Sequence, residues 1–275
     1  MTTTTDNGLK VLDGGQLRLL RAIDTAFLRL ARTWEAPEFR FPFLIGSKDL
    51  DTFDYFDNFP HLGLAATRLD PKRLGALLAE APRPLDRIPA EVMEPTGFAL
   101  PSAACYAVYL DLAGSELPPE GTLRTTLGTC FRNEDHYDGL QRLLGFSMRE
   151  IVFIGPEEGA KQHLLRAKEA VTALCAELGL DVSLEVATDP FFDKNGGKAK
   201  MQRLFPVKEE FVVDGLAIGS VNYHRNFFGE RCSIRAGEDL AHTSCLAFGL
   251  ERWVHALTER FGSTEAAVSA VERLG

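Results

Sequence analysis

Arg132 and Glu134 stand two apart in the run Thr129-Cys130-Phe131-Arg132-Asn133-Glu134, and Phe146, Met148 and Glu150 repeat that spacing further along the chain. On a strand, side chains two apart share a face. If the two runs form one hairpin and those faces coincide, a single surface carries a guanidinium, two carboxylates and an aromatic ring. These groups suit a nucleotide. Arginine grips phosphate with a planar fork, a carboxylate or a neighbouring carbonyl accepts from an adenine amino group, and a ring stacks on the base. An ordinary surface hairpin carrying a ladder of ion pairs would use the same residues, so the runs alone leave both readings open.

The elements that must position this hairpin are legible from apolar spacing. Leu20, Ile23, Phe27, Leu30 and Trp34 recur at helical intervals over residues 15–34, with Arg18, Arg21, Arg29 and Arg32 on the other faces. A second amphipathic helix is expected over 157–178, its stripe being Leu164, Ala167, Val171, Leu174 and Leu178, with Gly179 at its stop. Pro71 opens a short helix over 70–81, and Leu250, Trp253, Val254, Leu257 and Phe261 line one face of another. Strands are expected over 123–134, 146–155, 182–186, 211–213, 216–223 and 242–247, the fourth and fifth joined through Asp214-Gly215. Residues 38–64, rich in Phe, Pro and Asp, read as strands and loops, and 94–109 as a short strand entering a helix. Hairpin-like connections dominate, and helices come between only some strands. The pattern predicts an α+β fold with a mostly antiparallel sheet flanked by helices. Residues 1–14 read as a disordered N-terminus, and 15–275 as a single catalytic domain.

Bulk properties exclude several classes. The chain has 275 residues and a net charge of −9, so a whole-protein basic footprint for nucleic acid is missing. No apolar run reaches membrane-spanning length. The Thr-rich start lacks the features of a signal peptide. Five cysteines with no CxxC pair argue against a disulfide scaffold and suit a reducing cytoplasm. Neither GxGxxG nor a Walker A sequence occurs.

Order along the chain adds more. The Phe131-Arg132 to Glu134 step, a loop, then Phe146 to Glu150 resembles motif 2 of class II aminoacyl-tRNA synthetases, especially the seryl type. Ala247-Phe248-Gly249-Leu250-Glu251-Arg252 resembles their motif 3. Four further segments, Pro101-Ser102-Ala103-Ala104-Cys105-Tyr106, Ser147-Met148-Arg149-Glu150, Asn222-Tyr223-His224-Arg225 and Ala241-His242-Thr243-Ser244-Cys245, narrow the likeness. Together the segments resemble the amino acid:[carrier protein] ligases, stand-alone homologues of the catalytic domain of zinc-dependent, atypical seryl-tRNA synthetases. The likeness covers roughly residues 90–262.

That resemblance implies a class II synthetase-like fold and a two-step reaction. ATP and an amino acid form an aminoacyl adenylate, which acylates the phosphopantetheine thiol of a small carrier protein. It implies Zn2+ held by Cys105, Glu150 and Cys245, leaving a position for the substrate's α-amine. It assigns Arg132 and Arg252 to catalysis on the phosphates, with Mg2+ bridging them, and Glu134 and Phe146 to the adenine. Asn222 and His224 would line the substrate pocket. Residues 217–220 lack the acidic residue that seryl enzymes place there for magnesium, and Glu210 is the stand-in. Without the resemblance, each cysteine reads as a small buried hydrophobe, as Cys130, Cys175 and Cys232 still do. A homodimer is implied, with the aromatic–proline segment 55–60 as its motif 1 contact. No tRNA-binding arm is visible, so tRNA is not the expected acceptor. tRNA aminoacylation, another adenylate-forming ligase and a non-catalytic regulatory homologue are the alternatives. Retention of both motif arginines and the three ligand residues argues against the last.

Overall fold

Asp13 starts the first helix by capping. Its carboxylate accepts from the Gln16 amide and the Gln16 side chain accepts from the Asp13 amide, satisfying two otherwise orphaned donors. A computed structural model describes residues 7–193 and 207–274. The elements run α1 (Gly14–Thr33), β1 (Glu38–Phe39), β2 (Ile45–Gly46), α2 (Ser47–Thr52), α3 (Tyr55–Asn58), β3 (Leu64–Leu69), α4 (Pro71–Glu80), β4 (Met93–Leu100) and α5 (Cys105–Asp111). They continue with β5 (Glu116–Leu117), β6 (Thr122–Phe131), β7 (Gly145–Gly155), α6 (Glu157–Glu177), β8 (Val182–Ala187), β9 (Lys208–Val213) and β10 (Leu216–Arg225). The last are α7 (Phe227–Cys232), β11 (Arg235–Ala236), β12 (Asp239–Leu240), β13 (His242–Gly249), α8 (Leu250–Phe261) and α9 (Thr264–Glu272).

Seven strands form the main sheet in the order β1-β6-β7-β13-β10-β9-β8. Every neighbouring pair is antiparallel except β1 with β6. This is the expected α+β architecture. Asp214 and Gly215, both at positive φ, make the tight turn between β9 and β10, as the Asp-Gly pair predicts.

The sheet's two faces do different work. Ile151, Leu246 and Phe248 point to one side, where Ile23 and Phe27 of α1, Val171 of α6, Trp253 of α8 and Val271 of α9 bury against them. Phe27 stacks on Phe248 at 3.7 Å between ring centres. Helix α9 was not expected from the sequence; its buried Ala267, Ala270 and Val271 give a weak apolar signal. Arg149, 1% exposed, points to the same side and pairs with Asp24 of α1 at 2.8 Å and Glu38 of β1 at 2.9 Å. A guanidinium so buried is tolerable only when paired, so this trio fixes α1 and β1 to the central hairpin.

Met148, Glu150 and Val152 alternate to the other face. So do Cys245 and Ala247, where α5 and α7 cover part of the sheet. Small sheets β12-β11-β5 and β2-β4-β3 flank this side. No helix among the described residues is long and apolar enough to cross a membrane.

Two expectations need correction. Of the segment expected to be disordered, residues 1–6 lie outside the described residues. Residues 7–13, however, are anchored: the Gly8 carbonyl accepts from the Leu144 amide, and Leu12 packs on the main core. The strand expected to reach residue 134 stops at Phe131. There the chain turns away to hydrogen-bond elsewhere, the Asn133 amide donating to the Leu62 carbonyl.

Candidate active site

The β6–β7 register sets Gly128 opposite Met148 and Thr126 opposite Glu150, so the even-numbered faces of the two strands coincide. Gly128 is required by what lies above it. A Cβ there would sit 2.7 Å from the Ala104 Cβ. This close approach lowers the start of α5 onto the sheet, and the Ala104 amide donates to a Glu150 carboxylate oxygen at 2.8 Å. Cys105, the first residue of α5, is thereby brought to Glu150. Cys245 arrives from β13, paired with Val152 in register, and its thiol donates to the other Glu150 oxygen at 2.7 Å.

The ligand atoms of Cys105, Glu150 and Cys245 lie within 4.8 Å of one another, and all three residues are buried. The trio expected from the resemblance is therefore assembled. Its electrostatics suit a cation. Glu150 accepts from an amide and a thiol, and ion-pairs with no lysine or arginine among the described residues. Interaction with Cys245 pulls the Cys105 thiol down, but burial and the charge of Glu150 outweigh it and push it up to about 11. Burial, then Cys105 and Glu150, push Cys245 up as well. Two thiolates and a carboxylate so close are stable only around a positive charge, and this donor set suits a thiophilic divalent metal.

Tyr109, one turn along α5, is fully buried and lies 3.3 Å from His224 Nδ1; the same nitrogen is 3.2 Å from the Thr243 hydroxyl. His224 is the extra residue of a bulge in β10, where Tyr223 pairs with Ser244 and Arg225 with Thr243. Bulges re-aim side chains in this way. Burial pushes His224 down to about 4, so the ring is neutral at pH 7. His242 instead bonds Tyr223, at 2.8 Å.

A cavity of about 450 Å3 opens over the trio. Its lining includes Cys105, Glu150, Cys245, Asn222, His224 and a wall of aromatic side chains. Part of the aromatic–proline segment expected at a dimer contact also belongs to this wall. Tyr55 is buried against Tyr106, and Asn58 and Phe59 line the cavity. Phe56 of the same segment faces outward, 44% exposed.

A second, smaller cavity is lined by Arg132, Glu134, Phe146, Glu210 and Arg252. Although Arg132 and Glu134 lie beyond the end of β6, both still face it. Arg132 donates to the Ser102 carbonyl from two nitrogens at 3.2 and 3.1 Å and sits 5.1 Å over the Phe146 ring. Arg252 donates to the carbonyls of Gln141 and Ala217 at 2.7 and 2.9 Å. Neither arginine pairs with a carboxylate among the described residues, whereas Arg142 engages Glu134 at 2.6 Å. Burial and the like charge of Arg132 lower the pKa of Arg252. Two half-hidden guanidiniums held by neutral carbonyls form a standing demand for an anion. Glu251 receives the Ser147 amide on both oxygens, at 2.9 and 2.8 Å, and locks the start of α8 to β7.

Lys208, Asp189, Tyr109 and Ser102 at this site were not expected from the sequence. The alternation of Lys208 with Glu210 on β9 is the one signal that pointed toward the first.

Fold and site together define a class II aminoacyl-tRNA synthetase-like domain. The M. kandleri seryl-tRNA synthetase (SerRS), solved in complex with A. aeolicus tRNASec, superposes with a TM-score of 0.80 at 20% identity, covering 97% of this chain and 57% of that one. Sequence narrows the class. Amino acid–[acyl-carrier-protein] ligase 1 of Bradyrhizobium diazoefficiens is 32% identical over 249 residues, 85% of this chain and 74% of that protein. Ligase 2 of the same organism is 31% identical over 242 residues, 82% and 70% of the two chains. The chain belongs to the amino acid–[acyl-carrier-protein] ligase family and is a ligase. No protein-family model matches it.

Proposed function

We propose that this protein activates an amino acid with ATP and passes the aminoacyl group to the phosphopantetheine thiol of a carrier protein. The observation that carries the activation step is the pair of carbonyl-held guanidiniums, Arg132 and Arg252, facing one cavity a short way from a buried acid trio. The first seeks polyphosphate; the second seeks a cation.

In this reading, ATP lies in the smaller cavity. Phe146 offers a ring to the base, and Glu134, positioned by Arg142, accepts from the adenine amino group. Arg252 holds the terminal phosphates, and Glu210 faces the magnesium that accompanies them. The amino acid lies in the larger cavity, where Asn222 and His224 contact it. Cys105, Glu150 and Cys245 would hold zinc, which when bound supplies a Lewis-acid position for a deprotonated α-amine. A carboxylate oxygen then attacks the α-phosphorus, and the bond to the bridging oxygen breaks with its electron pair leaving on pyrophosphate. Arg132 offsets the negative charge that gathers there. The carrier thiol next attacks the acyl carbon as a thiolate, and AMP departs. Positioning both partners supplies much of the rate. Residues 15–275 act as one catalytic domain, in a homodimer that light scattering would detect as twice the chain mass.

Transfer of the aminoacyl group tests the acceptor. Incubation with ATP, labelled amino acid and either a phosphopantetheinylated carrier protein or bulk tRNA should label the carrier as a hydroxylamine-sensitive thioester. Labelling of tRNA instead would replace this reading with aminoacylation of tRNA.

A further inference from the structure

The two cavities meet along a seam, and five side chains line both: Arg132, Met148, Lys208, Ser220 and Ala247. Only two of the five are cationic. Arg132 comes from the hairpin. Lys208 comes from the first position of β9, where it pairs in register with Asn222 of β10. Its ammonium is largely buried, 3.0 Å from Glu210 and 3.7 Å from Asp189. Those two acids sit on opposite sides of the seam. Glu210 lines the smaller cavity alone, and Asp189 the larger alone. Lys208 is therefore suspended between one acid from each compartment.

The chemistry proposed for this cleft concentrates negative charge at that seam. A carboxylate from the larger cavity must approach a phosphate from the smaller, and the two repel until cations intervene. Arg132 is fixed by its two bonds to the Ser102 carbonyl and by the Phe146 ring, so it can serve one side. Lysine suits the other. Its ammonium is a compact charge on a flexible stem, able to leave Glu210 for a phosphate oxygen without backbone movement. A Glu210 carboxylate released in this way is free to face the metal that accompanies ATP.

We propose that Lys208 is a catalytic residue of the adenylate-forming step. Its ammonium contacts a non-bridging α-phosphate oxygen and the substrate carboxylate as the carbon-bound oxygen bonds to phosphorus and pyrophosphate departs. It remains protonated throughout and transfers nothing; it supplies charge. This role rests on the activation reading given above.

The test uses the full chain with its metal bound, and ATP with whichever amino acid supports pyrophosphate exchange by the wild type. Lys208→Met should lower kcat for exchange about 100-fold, leaving metal content and the KM for ATP unchanged, and Lys208→Arg should recover part of the loss. Lys208→Gln, which retains a hydrogen bond to Glu210 and so the local structure, should show the same loss as the methionine variant. A merely structural ion pair would instead lower the melting temperature of Lys208→Met while kcat stays at the wild-type value, and that result would overturn the proposal. Absence of exchange by the wild type would strike the activation reading itself, and is read before any variant is made.

Discussion

At the arginine end of the cleft, two guanidiniums are fastened to carbonyl oxygens, while at the cysteine end two thiols and a carboxylate are fastened to one another. The first arrangement is ready before any ligand arrives. Neutral carbonyls orient Arg132 and Arg252 without consuming their charge, so an anion finds its partners already aimed. The second is assembled in shape but not in charge. Burial keeps its thiols protonated until a cation makes ionisation favourable. One end is complete as folded, and the other would be completed by a cation. The two should therefore fail separately when altered.

The largest separation is expected from Cys105→Ala. Bound metal and pyrophosphate exchange should vanish together, while binding of an ATP analogue, measured by calorimetry, survives. Retention of both metal and exchange would mean that the ligand assignment is wrong. Arg132→Ala should do the reverse. Exchange should fall by about 10^3-fold, in line with arginines that neutralise phosphoryl transfer, with metal content by atomic absorption unchanged. Coupled loss of metal would show that the two ends are not independent.

A smaller effect tests how the metal end is built. Gly128→Ala pushes a methyl against Ala104, tilting the start of α5 and its Cys105 ligand. Metal affinity, read by competition with a chelating dye, should weaken about 10-fold, as for other supporting positions around metal ligands. ATP-analogue affinity should not move.

The smallest effect lies outside the cleft and serves as its control. His163 of α6 is buried against the far face of the sheet. Its Nδ1 lies 2.8 Å from the Ser244 hydroxyl, and burial, with help from Arg166, pushes its pKa down to about 3. Above its ordinary value of 6.5, neither folded nor unfolded chain holds the extra proton. As pH falls below 6.5, the unfolded state takes up a proton that the folded state refuses. Stability is thus lost toward about pH 3, at up to about 1.4 kcal/mol per pH unit from this group. Denaturant titrations at pH 4 and 6 should show a shallower loss for His163→Gln than for wild type. An unchanged slope would remove His163 from the acid response.

How much of this was legible depends on whether a feature is local. The hairpin, the long helices α1 and α6, the Asp214-Gly215 turn and the α+β class follow from periods of two and of three to four residues, which hydrophobic burial enforces. Arg132, Glu134 and Phe146 carried their own spacing. The trio of Cys105, Glu150 and Cys245 did not. Cys105 opens a helix, Glu150 sits mid-strand and Cys245 lies on a third element, so no interval in the chain joins them. Only the order of family motifs suggested the set, and the approach permitted by Gly128 explains how they meet. His224 was expected in the pocket, but its route there is a bulge, which no pattern of two announces. Lys208 was missed because an alternating Lys and Glu on a strand reads as solvated charge until the opposing cavity is known.

The central claim is that the two ends act on one reaction, activating an amino acid with ATP. Pyrophosphate exchange across the standard amino acids, on protein whose zinc content is measured in the same preparation, tests it most directly. The account predicts exchange with a restricted subset of amino acids, lost on chelation and restored by zinc. Zinc-replete protein that exchanges with none of them would contradict it.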